Sequence, residues 1–167
     1  TKAAQGEHDE SVAPAELYKR GVVDPGLYKE LARISMKLYE RGVARAADHG
    51  MIFVDTKYEF GISNGKIMLM DEVNTPDSSR YWIKDDYESR FEKGEEPRKL
   101  DKEYVRTWLS EQGFTGEGTP PKLTDDIRVE ASARYMEVVE KFTGEPMQLD
   151  VGPVDESIYS ILNPFAY

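Results

Sequence analysis

The sequence predicts an α+β fold, a short β-hairpin packed among helices. Three observations carry this expectation. A 27-residue stretch, "DPGLYKELARISMKLYERGVARAADHG", has a helical apolar period with a start and a stop signal. The pair Asn64-Gly65 sits between two β-type runs, in "FGISNGKIMLMDEV", and Asn-Gly is the favoured two-residue hairpin turn. Two further helical patterns follow, each closed by a glycine.

In chain order, residues 1–23 read as an irregular N-terminal segment with Pro14 and Gly21. Asp24 then suits an N-cap and Pro25 the first helical position, with Gly50 as the stop. Leu27, Leu31, Ile34 and Leu38 recur at helical spacing and predict one buried stripe. "MIFVD" is a short β-type run, followed by the hairpin, in which Met68 and Met70 read as core. "NTPDSSR" reads as a loop from its Pro, Asp and Ser content, and "RFEKGEEPRK" as a charged, solvated connector. Asp101 caps a helix over "LDKEYVRTWLSEQG". Thr124 caps the last helix, with Asp125 and Asp126 favourable in its first turn. Its expected apolar face is Ile127, Ala131, Tyr135, Val138, Val139 and Phe142, and Gly144 ends it. The tail from Val151 is expected to dock through its aromatics. Trp82 and Trp108 read as packing residues, and His49 carries no assigned function.

At 167 residues the chain fits a single domain, taken here as one lobe over 1–167 with its helical part at 24–150. It starts in a polar stretch without Met, so a missing upstream piece is expected. No apolar run has the length of a membrane span. Without cysteine there is no disulfide, thiolate metal site or Cys nucleophile, and a cytoplasmic location is expected. The net charge of −10 disfavours a nucleic-acid partner. A small phosphorylated substrate would need local cations or a metal to overcome that field.

The chemistry concentrates in "MIFVDTKYEFG", where Asp55, Lys57 and Glu59 alternate after an apolar run. A salt-bridged strand edge would explain the trio alone, since exposed ion pairs are common and weak. However, the trio follows what reads as a buried strand. The hairpin that comes next ends at Asp71-Glu72, and Ser78, Ser79 and Arg80 lie just beyond. The mouth of the hairpin should bring Glu59 near Asp71. Two adjacent carboxylates need a cation between them, and oxygen donors select a hard ion such as Mg²⁺. Lys57 and Arg80 can hold phosphate or carboxylate oxygens. Together these residues read as magnesium-assisted phosphoryl transfer. A strict two-residue turn would pair Tyr58 with Asp71 and point Asp71 away from Glu59. We therefore expect the strand to begin only at Phe60, leaving the trio as a loop. Lys102 and Arg106 lie one helical turn apart and read equally as an anion site or a solvated face.

"VDTKYEFG" and "MDEVNTPDSSRYW" closely resemble the paired signatures of the SAICAR synthetase family. "GEHDE", "LDKEYVR" and "ARYMEVVEKFTGE" are similar to other family segments, and the resemblance extends to about Asp150. It implies an ATP-dependent ligase of purine biosynthesis that joins L-aspartate to the carboxylate of carboxyaminoimidazole ribotide. It also implies a kinase-like fold, of which this chain resembles the C-terminal lobe. The N-terminal, ATP-covering lobe would be a missing piece, or a homo-oligomer partner would complete the site. On this resemblance Glu59 and Asp71 hold Mg²⁺ against ATP, and Lys57 neutralises the moving phosphoryl group. Asp55 orients or deprotonates at the reacting carboxylate or amine. Ser79 and Arg80 bind the ribotide, Lys102 and Arg106 its 5′-phosphate, and His8, Asp9 and Glu10 line the site near aspartate. The competing readings are a non-catalytic nucleotide- or Mg²⁺-binding module and a phosphotransferase acting on a hydroxyl.

Overall fold

A computed structural model describes residues 10–147 together with Gly152, Pro153 and Asn163. Its elements run α1 (Pro14–Lys19), α2 (Pro25–Asp48), β1 (Met51–Thr56), β2 (Glu59–Ser63), β3 (Lys66–Met70), β4 (Ser79–Ile83), α3 (Tyr87–Glu92), α4 (Glu103–Glu111) and α5 (Asp125–Thr143). The fold is α+β, as expected. Among the described residues the strands form two antiparallel pairs, β1 with β4 and β2 with β3.

The capping signals act as read. The Asp24 carboxylate accepts from the Gly26 and Leu27 amides at 2.8 and 3.1 Å. Thr124 accepts from Ile127 N, and Gly144 closes α5 in the left-handed conformation at φ 73°. α2 ends before Gly50, which takes φ 68°.

The core is the inner face of β1–β4. Met51 and Phe53 alternate inward on β1, and Ser79, Tyr81 and Ile83 on β4. Ala46 of α2, Leu100 and Val138 of α5 close over them, with Tyr39 and Phe142 at the rim. Burying each large apolar side chain contributes roughly 1.5–3 kcal/mol. α2 lies close against β1 because it presents Gly42, where a Cβ would sit 2.8 Å from the Phe53 ring. Residues 98–100 run along the free edge of β4, with Ile83 N donating to Arg98 O and Leu100 N to Tyr81 O.

Several expectations need correction. β4 begins at Ser79, so Ser79 and Arg80 stand on a strand rather than in a loop. Its register with β1, 28 residues upstream, makes it a strand, and no local composition signals that. α1 occupies part of the segment read as irregular, with Pro14 at its first turn. α3 reaches into the expected connector, packed by Tyr87 stacking on Trp82 at 5.6 Å. The Leu27–Leu38 stripe is only half-buried, and the fully buried positions of α2 are Gly42 and Ala46. Val139 faces solvent, because Val138 takes the inward position. The hairpin is not packed among helices. Ile62, Met68 and Met70 are 56, 49 and 47% exposed, so the two methionines are not core. The expected docked tail lies, apart from Gly152, Pro153 and Asn163, outside the described residues.

Candidate functional site

The site is built on an irregularity in β1. Phe53 pairs with Tyr81, but Asp55 rather than Val54 pairs with Arg80. Val54 is thus the extra residue of a β-bulge. In an unbroken register Asp55 would share the inward face of Phe53 and oppose Ser79. An unpaired carboxylate buried there would be costly. The bulge turns Asp55 outward, beside Arg80. Arg80 Nε donates to Asp55 Oδ1 at 2.7 Å, and Nη2 donates to Oδ2. This two-point contact holds the Asp55 carboxyl below its usual range, chiefly through the hydrogen bond from Arg80. Inward, the buried Ser79 hydroxyl donates to Thr56 Oγ1 at 2.8 Å. The pairing continues one residue further, with Lys57 N donating to Ser78 O.

Asp55 is therefore in strand β1, and Glu59 is the first residue of β2. The expected loop shrinks to Lys57 and Tyr58, correcting the reading in which the whole trio precedes the hairpin. Lys57 Nζ contacts Glu59 Oε1 at 2.7 Å. The hairpin turn is strict, with Ser63 opposite Lys66 and Glu59 opposite Met70. Strand alternation would send Asp71 to the face away from Glu59, but Asp71 adopts φ 62° and leaves the ladder. It directly follows Met70, the partner of Glu59, so the Glu59 and Asp71 Cα atoms lie within about 9 Å. Tyr58 ties the two segments together, its phenol donating to Asn74 Oδ1 at 2.8 Å, while the Tyr81 phenol donates to Asn74 O at 2.6 Å.

Across from Arg80 lies the start of α4. A cleft of about 420 Å³ opens between them, lined by Asp55, Lys57, Ser79, Arg80, Lys102 and Arg106 among others. Six sequence-predicted residues, from three chain segments, thus share one cavity. Glu59 and Asp71 are not on its wall, and Glu10 instead pairs with Arg20 at 2.6 Å. His8 and Asp9 lie outside the described residues. The lining holds four cations, Lys57, Arg80, Lys102 and Arg106, against four acids, Asp55, Asp77, Asp101 and Glu103. In a chain of net charge −10, that balance makes the cleft a local relief in an acidic field. Lys102 reaches Asp77 at 3.3 Å and Arg106 reaches Glu103 at 2.8 Å. Lys102 is about half exposed and Arg106 largely so, and such pairs contribute only about 0–1 kcal/mol, so an incoming phosphate can displace them. A larger cavity, about 820 Å³, lies along α4 and the 114–116 segment, but Arg106 is the sole cation on its wall, a poor anion site.

Sequence reasoning missed Asp101 as part of the site. It reads only as a cap, yet it is 2% exposed and lines the cleft. Its carboxylate accepts from Tyr81 N and from Glu103 N, and the first of these bonds depends on β4, which is not visible locally.

Among the described residues no group of three or more His, Cys, Asp or Glu side chains could hold a metal. No helix is long and apolar enough to cross a membrane.

The segments that build the cleft and the hairpin of this α+β domain lie within the match to a known family. The SAICAR synthetase family pattern covers residues 1–122, and the chain belongs to that family. It is 49% identical over 147 residues to the phosphoribosylaminoimidazole-succinocarboxamide synthase of Bacteroides thetaiotaomicron, covering 87% of this chain and 47% of that protein. The synthase of Cytophaga hutchinsonii is 48% identical with the same coverage. Among solved structures, the Saccharomyces cerevisiae SAICAR synthase complexed with SAICAR superposes at TM-score 0.67 and 34% identity, over 84% of this chain and 46% of that one. A SAICAR synthetase in complex with ADP superposes at 0.61 and 26% identity, over 85% of this chain and 48% of that one. The chain spans about half the length of the curated relatives it matches.

Proposed function

We propose that this chain is the cleft-bearing part of an ATP-dependent ligase of de novo purine biosynthesis, joining L-aspartate to the carboxylate of carboxyaminoimidazole ribotide. The observation that carries this reading is the gathering of Asp55, Lys57, Ser79, Arg80, Lys102 and Arg106 around one cleft. The relatives solved with SAICAR and with ADP support ligands of these two kinds. The fold would correspond to a kinase-like C-terminal lobe. A second, N-terminal lobe would complete the ATP site and cover the exposed apolar side chains of the hairpin.

In the proposed reaction a carboxylate oxygen of the ribotide bonds to the terminal phosphorus of ATP as the bond to ADP breaks. The aspartate amine then attacks the carbon of the acyl phosphate, and phosphate leaves with the C–O electron pair. Arg80 and Ser79 would bind the ribotide, with Lys102 and Arg106 on its 5′-phosphate. Lys57 would meet the moving phosphoryl group. Asp55 would orient rather than deprotonate, because a carboxylate held low by Arg80 accepts a proton poorly. The amine's proton then needs another acceptor. His8, Asp9 and Glu10 would serve aspartate.

The two acids at the root of the hairpin, Glu59 and Asp71, fit a hard cation. Both are oxygen donors, and Asp71 follows Met70, which stands opposite Glu59; Mg²⁺ typically uses one or two carboxylates with water and phosphate. Bound there, Mg²⁺ would neutralise charge on the ATP phosphates. The test is a coupled assay for ADP release by the enzyme containing this chain. ADP should form only with ribotide and aspartate both present, and Glu59→Gln or Asp71→Asn should abolish it. Full activity in both variants would remove the metal assignment, and ADP release independent of aspartate would remove the ligase reading.

A further inference from the structure

The cleft has two walls on different elements. Arg80 stands on β4, and Lys102 and Arg106 stand at the start of α4. A phosphorylated ligand needs both walls at a fixed separation, and one side chain spans them. Along the edge of β4 the segment 98–100 supplies main-chain partners, Arg98 O to Ile83 N and Leu100 N to Tyr81 O. At Tyr81 N the pattern changes. The acceptor there is the side chain of Asp101, whose Oδ2 takes the bond at 3.2 Å. Its other oxygen, Oδ1, accepts from Glu103 N at 2.9 Å, on the first turn of α4.

We propose that Asp101 is a positioning residue of the cleft, its buried carboxylate locking the Arg80 wall to the Lys102–Arg106 wall. This deepens the reading of the cleft as the ribotide site and rests on it. The residue next to Tyr81 is Arg80, and the residue next to Asp101 is Lys102, so each of the two bonds fixes the backbone beside a cleft cation. Asp101 is 2% exposed, and both its oxygens are taken by backbone amides. At the cleft wall its carboxylate is thus engaged by the two elements it joins. A surface cap would need one oxygen and no burial. Burial costs this carboxylate, which is pushed above its usual range chiefly by desolvation. A polar group kept at such cost is one whose geometry is used.

Asp101→Asn keeps the volume but gives one amide hydrogen where an acceptor stood, so Tyr81 N or Glu103 N loses its partner. The measurement is the affinity of the chain for ribose 5-phosphate, by nuclear magnetic resonance titration, with thermal unfolding of the same samples. The expected result is binding weakened about tenfold in Asp101→Asn, since small misplacements of binding groups carry losses of this order. Asp101→Glu, with the carboxylate one methylene further out, should not restore it. A second measurement is amide hydrogen exchange in the unaltered chain, where Tyr81 and Glu103 should both be protected. Unchanged affinity in a folded Asp101→Asn, or fast exchange at either amide, would overturn the positioning role alone. Failure of the unaltered chain to bind ribose 5-phosphate would overturn it together with the ribotide reading. A variant that merely unfolds at lower temperature, with affinity intact once folded, also counts against it.

Discussion

Arg80 and Asp55 face each other because one extra residue, Val54, shifts the register of β1. The roles expected of both residues follow from their types and neighbours in sequence, but their pairing does not. It is set by a bulge that pairs Asp55 with a residue 25 positions further along the chain. Arg80→Ala should therefore do two things. It should weaken ribose 5-phosphate binding, and it should release the Asp55 carboxyl toward its ordinary range near 3.9. The pH consequence has a definite sign. Asp55 is depressed in the folded chain, so the pair stabilises above the unfolded pKa and is lost as pH falls through the lower, folded value. Thermal unfolding of the unaltered chain and of Asp55→Asn should thus differ at neutral pH and converge only well below pH ~4. The difference should be small, because the pair is half exposed. Asp101 acts in the opposite sense. Its carboxyl is raised, and its contribution is full below the unfolded pKa and declines as pH rises through the raised one.

The longer helices are the elements most legible in sequence, since their signals are local. Asp24-Pro25 with Gly50, and Thr124 with Gly144, mark α2 and α5 to within a residue or two. The hairpin is equally local, its Asn64-Gly65 pair taking φ 51° and 74°. β4 and α3 are not, because each depends on a distant partner. β4 needs β1, and α3, six residues long, rests on the stack of Tyr87 with Trp82. The closeness of α2 to β1 is likewise a packing fact. Gly42 is a poor helix former, and replacing it with Ala would gain up to about 1 kcal/mol in an isolated helix. In the folded chain the new Cβ would lie 2.8 Å from Phe53 and 3.0 Å from Asn74. Gly42→Ala should lower stability by roughly 1–3 kcal/mol, read as a fall in the unfolding midpoint. A rise would show that α2 stands further from the sheet than described.

For the whole molecule, exposure is the least legible property in sequence. The alternation of the hairpin predicts strands, yet period alone does not say what covers them, and its methionines are open to solvent. In the proposed enzyme a second lobe would cover such faces. The cleft, in contrast, is assembled within this chain, from β1, β4 and α4. Its position is the claim on which the ligase reading turns. The most direct measurement is a nuclear magnetic resonance titration of the labelled chain with carboxyaminoimidazole ribotide. The expected result is saturable amide shifts concentrated at residues 55–57, 77–80 and 101–106. Shifts concentrated elsewhere, as at the Leu38, Val73 and Phe142 groove, with the 55–57 and 101–106 amides unmoved, would contradict it.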